Sequence, residues 1–367
     1  MTQANVLAQL GAQSGPTFRN RIINGAMVID QRNAGASVTP TSGGISYPLD
    51  RFGSYPNVSS KYSLQQNAGS VTPPAGFTNY LGATSLSSYT VGSTDITPIS
   101  QFIEGYNIAD LGWGTANAKT VTLSFWVRSS LTGTFGGSLT SSGIDYSYPY
   151  SYTISSANTW EYKTITIAGP TSGTWNTTNG IGVRVYWSLG AGSTYSGTAG
   201  SWSANTYWSC TGATSVVGTN GATFYITGVQ LEVGSSATGF EYRQVTTELQ
   251  LCQRYFETSF DLGVVPASAS SANGSFEFAQ QVAASSTQYG PSCKYAVAKR
   301  AASTLTFYNW NAAGNQAVNV VTGGTTTGLA LRSGQSGNTS FSITMVTPAG
   351  TSAGQTLSVG WTASAEL

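Results

Sequence analysis

The sequence predicts an all-β protein: a jelly-roll β-sandwich, a short linker helix and a smaller C-terminal β-sandwich domain. Three observations carry this expectation. Short runs of alternating apolar and polar residues recur along the 367-residue chain, bounded by Gly, Ser, Asn or Pro clusters. Helical periodicity is nearly missing, which removes the crossover helices a parallel sheet requires. Aromatic residues make up 12% of the chain, too many for a disordered polymer. No fixed period is present, so a repeat solenoid is disfavoured.

Residues 1–18 read as a separate leader. Ala4 to Leu10 has helical spacing, and Gly11, Gly15 and Pro16 break it. An attachment segment and a frayed terminus are both consistent with this pattern. Residues 19–244 form the main domain. IINGAMVID (Ile22 to Asp30) alternates weakly, as an opening strand would, before a polar turn at Arg32 to Gly35. The clearest strand is KTVTLSFWVRSS: Val121, Leu123, Phe125 and Val127 point one way, and Thr122, Ser124 and Trp126 the other. TWEYKTITIAG, GIGVRVYWSLG and ATFYITGVQLEVG read as further strands, with long Gly/Ser/Tyr-rich connections at 133–151 and 189–206. One turn of helix is expected over Asn107 to Leu111.

The linker helix occupies residues 245–258. Thr246 can cap it, Glu248 complements its N-terminal dipole, and Leu249, Cys252 and Phe256 share a face. Residues 259–367 hold the second β-domain, with strands at FEFAQ, KYAVAKRAA, STLTFYNW, AVNVV, GLALRS, SFSITMV and LSVGWTASAEL.

Composition excludes several functions. Only 8% of residues are charged, against about 25% for ordinary soluble domains. Net charge is +1, and Lys299-Arg300 is the one adjacent basic pair. Nucleic-acid binding, which needs a clustered basic footprint, is therefore not expected. Histidine is absent, so Ser-His-Asp and Cys-His nucleophile systems are excluded. Cys210, Cys252 and Cys293 are far apart and form no CxxC pair, so no metal site and no cofactor is expected. They read as small buried residues of a protein made in a reducing cytoplasm. Without a signal-peptide pattern or a run of about 18 apolar residues, no membrane insertion is expected.

Paired carboxylates remain as generic catalytic chemistry. Asp50, Asp95, Glu104, Asp110, Asp145, Glu161 and Glu232 are available, but no motif sets two of them on neighbouring strands. For Glu104, Arg128 or Arg184 is a plausible structural partner. No catalytic residue is assigned, and the chain is not expected to be an enzyme. Aromatic residues are the positive signal. DYSYPYSY places Tyr146, Tyr148, Tyr150 and Tyr152 at every second position, along one face of an extended segment. Trp187, Trp202 and Trp208 follow in a Gly/Ser-rich region. Rings of this kind can stack on sugar faces while their polar tips bond hydroxyls. They can equally pack in a core or against a neighbouring subunit.

FRNRIINGAMVIDQRNAG, YPLDRFG with SLQQNAGS, TVTLSFWVRSSLTGTFGGSL and the closing FYITGVQLEVGSSATGFEYR together resemble a carbohydrate-binding-module-like jelly roll. Such jelly rolls occur in tail-fibre and other virion surface proteins of bacteriophages of marine and freshwater hosts, cyanobacteria included. ELQLCQRYFE resembles the run that follows this domain, and the terminal GWTASAEL more loosely resembles a fibre's C-terminal β-domain. The resemblance implies a receptor-binding virion component, often a homotrimer, anchored through its N-terminus to a tail or baseplate protein and touching a host surface glycan. A capsid decoration or head-fibre protein is the alternative, and a polysaccharide depolymerase is the third. Jelly rolls of this type often hold a structural calcium through an acid in the last strand. Here that stretch reads Ile226-Thr227-Gly228-Val229, with no acid.

Overall fold

A computed structural model describes residues 18–266, 276–282, 286–308, 317–320, 325–327, 329–331, 337–347 and 353–367. The leader expected at 1–18 lies outside them except for Phe18. The first domain contains β1 (Ser46–Leu49), β2 (Phe52–Ser54), β3 (Tyr62–Gln66), β4 (Leu81–Ser85), β5 (Ile96–Glu104), β6 (Val121–Ser129), β7 (Gly133–Thr140), β8 (Ser147–Ile154), β9 (Glu161–Ile167), β10 (Ile181–Ala191), β11 (Ser196–Gly197), β12 (Ser209–Cys210) and β13 (Thr223–Val233). Strands run β1-β2-β5-β10-β7-β8 in a six-stranded sheet and β3-β4-β13-β6-β9 in a five-stranded one, every pairing antiparallel.

The two sheets share one core. Val121, Leu123, Phe125 and Val127 enter it from β6, as their alternation predicts, and Val183, Val185, Trp187 and Leu189 enter from β10. The expected connection at 133–151 instead contains β7 and most of β8. Its glycines hid the strand, and packing explains them. Gly137 stands opposite Tyr150, and a Cβ there would collide with the Tyr150 hydroxyl and the Tyr186 carbonyl. The bare backbone lets Tyr150 lie across β7 and donate to Tyr186 O at 2.6 Å.

Ile22 to Asp30 forms no strand. Asn24 and Met27 have positive φ, 61° and 60°, which breaks the extended backbone an alternating pattern requires. Side chains take the place of the ladder. Asn20 donates to Val229 O at 2.9 Å and accepts from Leu231 N at 3.0 Å. Asn24 donates to Ile29 O and Asp50 O at 2.8 and 3.0 Å and accepts from Ile29 N at 2.9 Å. Gln101 accepts from Ile23 N and donates to Ile23 O, both at 2.8 Å. Glu241 collects the N–H groups of Phe18, Arg19 and Asn20 at 2.9–3.0 Å. Arg243 donates to the carbonyls of Asn20 and Ile22 and pairs with Glu241 and Glu248. The opening and closing segments are thus clasped by buried polar side chains.

Helix α1 (Val245–Gln253) packs on this clasp. Gln244, not Thr246, occupies the N-cap, and it makes no side-chain cap bond. Leu249 and Cys252 face Ile23 and Ile29 as expected, but Tyr255 joins them where Phe256 was anticipated. Phe256 instead opens β14 (Phe256–Thr258), because the helix ends at Gln253, five residues short of the expected 258.

The second domain adds β15 (Phe276–Ala279), β16 (Thr287–Lys294), β17 (Thr304–Tyr308), β18 (Ala317–Val320), β19 (Thr325–Thr327), β20 (Leu329–Leu331), β21 (Ser340–Val346) and β22 (Thr356–Ser364). β22 pairs with β14, β15, β17 and β18, while β16-β21-β20 makes a second sheet. Phe307, Phe341, Ile343, Val359 and Trp361 are among the residues filling the core between them. KYAVAKRAA is not a strand beyond Lys294. Its chain turns away because Lys299 is drawn inward, donating to Glu257 and to the carbonyls of Gln253 and Val297. β16 went unread because Gly290 and Pro291 interrupt it, at a shift in its register with β21.

The domains meet through buried ion pairs. Arg254 grips Glu104 with two bonds of 2.6 and 2.8 Å, and the Tyr255 hydroxyl donates to Glu104 at 2.7 Å. Neither Arg128 nor Arg184, the expected partners, reaches Glu104, since the acid faces α1. Glu366 accepts from Arg32 at 2.6 Å and pairs with Arg51. Arg300 and Asn179 exchange bonds of 3.1 Å across the same junction.

Two outcomes are expected. Glu104→Ala should cost roughly 2–3 kcal/mol in denaturant titration, because it strands Arg254 and the Tyr255 hydroxyl. Burial pushes the Asp50 carboxyl up to about 6, against the pull of Arg32 and the Gln31 hydrogen bonds. An unfolded chain ionises this group near 4, so the folded state retains a proton between about pH 4 and 6 that the unfolded state has released. Stability from this group is complete below that window and falls as pH rises through it. Denaturation midpoints from pH 4 to 7 should decline more steeply for the parent chain than for Asp50→Asn.

Candidate binding surface

The sequence-nominated aromatics are not on one exposed face. Tyr148, Tyr150 and Tyr152 point into the sandwich core, and Trp187 is fully buried between the sheets. Burial pushes the Tyr150 and Tyr152 phenols well above their ordinary range. The packing alternative is therefore what the tyrosine stripe does. Trp208 is buried against Tyr186, ring centroids 4.5 Å apart, on the other side of the six-stranded sheet. Tyr146 and Trp202 are half-buried in a cluster with Trp113 and Trp175. Trp202 stacks on Tyr146 at 5.7 Å and contacts Trp113 and Trp175 at 5.7 and 5.4 Å. The indole N–H groups of Trp113, Trp175 and Trp202 donate to Lys119 O, Ser172 O and Ala168 O. This box staples the loops at one end of the sandwich, with its donors committed to backbone.

The candidate carboxylates are also committed. Asp50 accepts from Gln31 N and Nε2 at 2.7 and 2.9 Å. Asp95 accepts from the Tyr89 hydroxyl and Gly92 N. Asp110 pairs with Arg21, Asp145 accepts from Ser141 Oγ, and Glu161 pairs with Lys163 while accepting from Ser155 N and Ser156 N. Glu232 accepts from Gln230 and from Thr238 N and Oγ1 at 2.7–2.8 Å. Among the described residues, no three His, Cys, Asp or Glu side chains group closely enough to hold a metal ion. The three cysteines are unpaired.

An exposed aromatic surface exists elsewhere, on the outer face of the five-stranded sheet. In the register of this sheet Thr227, Trp126 and Tyr162 stand side by side on β13, β6 and β9. Trp126 and Tyr162 lie 5.3 Å apart between ring centroids, and Tyr162 is 42% exposed. Alternation dictates the placement: Phe125 and Val127 bury inward, so Trp126 must face out. Beside them the 74–78 and 240–245 segments bring three more rings together. Phe77 is 5.1 Å from Phe240 and 5.5 Å from Tyr242, which is 58% exposed. These rings border a cleft of about 180 Å³ whose rim includes Arg243, Val245 and Glu248.

Gly228 joins the two ring groups. It has φ +61° and sits where the β13–β6 register shifts, between Thr227 and Gln230. This bulge keeps Ile226 and Val229 both in the core. A Cβ on Gly228 would lie 2.6 Å from Phe77 Cζ and 3.1 Å from Trp126 Cδ1. Trp126 was legible as outward-facing in sequence, but its neighbours come from residues 77, 162, 240 and 242, which no local pattern links.

No protein-family model matches the chain, and no curated protein matches it. Solved structures are similar over part of it. The enzymatically active domain of bacteriophage CBA120 tailspike protein 4 is 10% identical over 59% of this chain and 22% of the tailspike, with a TM-score of 0.31. TmCBM61, solved with β-1,4-galactotriose, is 10% identical over 59% of this chain and 99% of the module, with a TM-score of 0.28. The family 11 carbohydrate-binding module of Clostridium thermocellum, in complex with a β-1,3-1,4-mixed-linked tetrasaccharide, is 11% identical over 56% of this chain and 98% of the module, with a TM-score of 0.26. None of these overlaps transfers a binding residue to this chain.

Gly228→Ala should cost about 1–2 kcal/mol through its left-handed backbone and displace Phe77. Denaturation together with near-UV circular dichroism of the ring cluster checks both.

Proposed function

We propose that this protein is a non-catalytic adhesive component of a phage particle that contacts host surface glycan through the outer face of its five-stranded sheet. The observation that carries the glycan reading is the pair Trp126–Tyr162. These two large rings stand side by side on the face turned away from the core, beside a cleft edged by Phe77, Phe240 and Tyr242. Pyranose C–H faces stack on such rings, and Thr, Ser and Asn neighbours bond the hydroxyls. The virion assignment draws on the resemblance of the opening and closing segments to those of tail-fibre proteins. Under it the N-terminal residues attach to a tail or baseplate protein, and three copies associate to raise weak single-site affinity by multivalency. The absence of histidine and the commitment of the candidate acids to structural hydrogen bonds favour adhesion over hydrolysis.

The pair Trp126→Ala and Tyr162→Ala should leave the melting transition nearly unchanged while lowering affinity for host-cell polysaccharide by about tenfold, since each ring is worth of order 1 kcal/mol or more. Binding measured on immobilised polysaccharide decides this; unaltered affinity in both variants removes the assignment. Release of new reducing ends from that polysaccharide would replace adhesion by depolymerisation.

A further inference from the structure

We propose that the saccharide bound on this face is acidic, and that Arg128 receives its anionic group. The inference rests on the glycan reading above and specifies the class of sugar. Arg128 lies two residues beyond Trp126 on β6, hence on the same face and about 7 Å further along the strand. It stands opposite Tyr225 in the register, with its guanidinium carbon 5.5 Å from the Tyr225 ring centroid. Tyr225 is wedged between Tyr80 at 5.1 Å and Trp160 at 6.5 Å. The polar tips of those two rings are occupied: Trp160 Nε1 donates to Thr72 O and the Tyr80 hydroxyl to Ala68 O. The rings form a fixed floor and Arg128 lies over it.

The charge on Arg128 has no carboxylate partner among the described residues. Its Nε donates to Asn158 O at 2.9 Å, which restrains the guanidinium and leaves both terminal nitrogens without a hydrogen-bond acceptor among the described residues. The nearby acid does not neutralise it. Glu161, opposite Val127 on the neighbouring strand, is held by Lys163 and two backbone N–H groups. Arg32, Arg51, Arg243 and Arg254 are each matched to a glutamate; Arg184 and Arg300 lack a carboxylate but spend terminal nitrogens on backbone carbonyls, which Arg128 does not. A planar, oriented, uncompensated guanidinium at the end of an aromatic strip suits bidentate capture of a carboxylate. A sugar stacked on Trp126 would bring the acid group of the next residue of its chain within reach of Arg128, about 7 Å along the strand.

The test uses the full chain with polygalacturonate, alginate and hyaluronan, each paired with its carboxyl-reduced counterpart, with dextran and dextran sulfate alongside. The parent protein should bind at least one acidic polysaccharide about tenfold more tightly than its reduced form, and that preference should shrink as salt rises from low to physiological strength. Arg128→Gln should abolish the preference and the salt dependence without changing the melting transition, and Arg128→Lys should retain part of both. Equal binding of acidic and reduced forms, or an intact preference in Arg128→Gln, overturns the proposal while leaving glycan adhesion standing. Preference for dextran sulfate over every carboxylated polymer moves the anion from carboxylate to sulfate and overturns the uronic form. Undiminished binding by the Trp126→Ala and Tyr162→Ala variants overturns the adhesion reading itself.

Discussion

The side chains of Asn20 and Asn24 hold the first domain closed, and most of the molecule depends on them. A segment with positive φ at Asn24 and Met27 cannot lie in a sheet, yet it is buried and its backbone groups need partners. Asn20, Asn24, Gln101 and Glu241 supply them, each bridging residues tens or hundreds of positions away. Removing one partner from such a set leaves buried donors unsatisfied at the full desolvation cost. The clasp also seats α1, since Glu248 accepts from Asn24 N and pairs with Arg243. From α1 the constraint passes on: Arg254 at its end grips Glu104 of the six-stranded sheet. The second domain is thus anchored through the same few polar side chains that close the first.

That arrangement explains what could be read from sequence. Alternating segments such as Val121 to Ser129 reveal their strands because sheet geometry repeats every two residues, and β6, β9, β10 and β13 fall where the pattern puts them. The opening and closing segments RIINGAMVID, YPLDRFG and GFEYR turn out to be the clasp itself. Their residue types are restricted because Asn24, Asp50, Glu241 and Arg243 each serve several fixed partners. The same restriction hid the backbone there, since IINGAMVID looks like a strand until its hydrogen bonds are traced. β7 and β16 were illegible for the opposite reason: glycine removes the side chains on which periodicity depends, and only the ring lying over Gly137 shows why it is tolerated.

Aromatic residues were the hardest to place. Periodicity correctly set Tyr148, Tyr150 and Tyr152 on one face, but it carries no sign for inside or outside. In most strands the polar alternates settle that question. Here Ser147 and Pro149 are buried as well, because the loop around Ser203 to Tyr207 covers the other side of β8 through Ser147 O–H and N–H bonds. The first half of the stripe therefore has two covered faces, and only Ser151 and Thr153, further along, stay exposed on the outer side. Trp126 shows the converse: its neighbours Phe125 and Val127 are so plainly interior that the intervening ring must be outside.

The exposed ring surface depends on one backbone irregularity. Without the bulge at Gly228, β13 would keep strict alternation past Thr227 and turn Val229 or Leu231 outward, exchanging core for surface along the rest of the strand. With it, Ile226, Val229 and Leu231 all remain inside while Thr227, Gln230 and Glu232 stay on the outer face. The glycine also leaves room for Phe77 to lie against the sheet beside Trp126. Val229, just beyond the bulge, is the residue whose carbonyl Asn20 binds and whose N–H donates to Gly25 O at 2.9 Å. The same irregularity thus serves the closure of the fold on one side and the ring surface on the other, so a chain that keeps the clasp keeps the platform beside it.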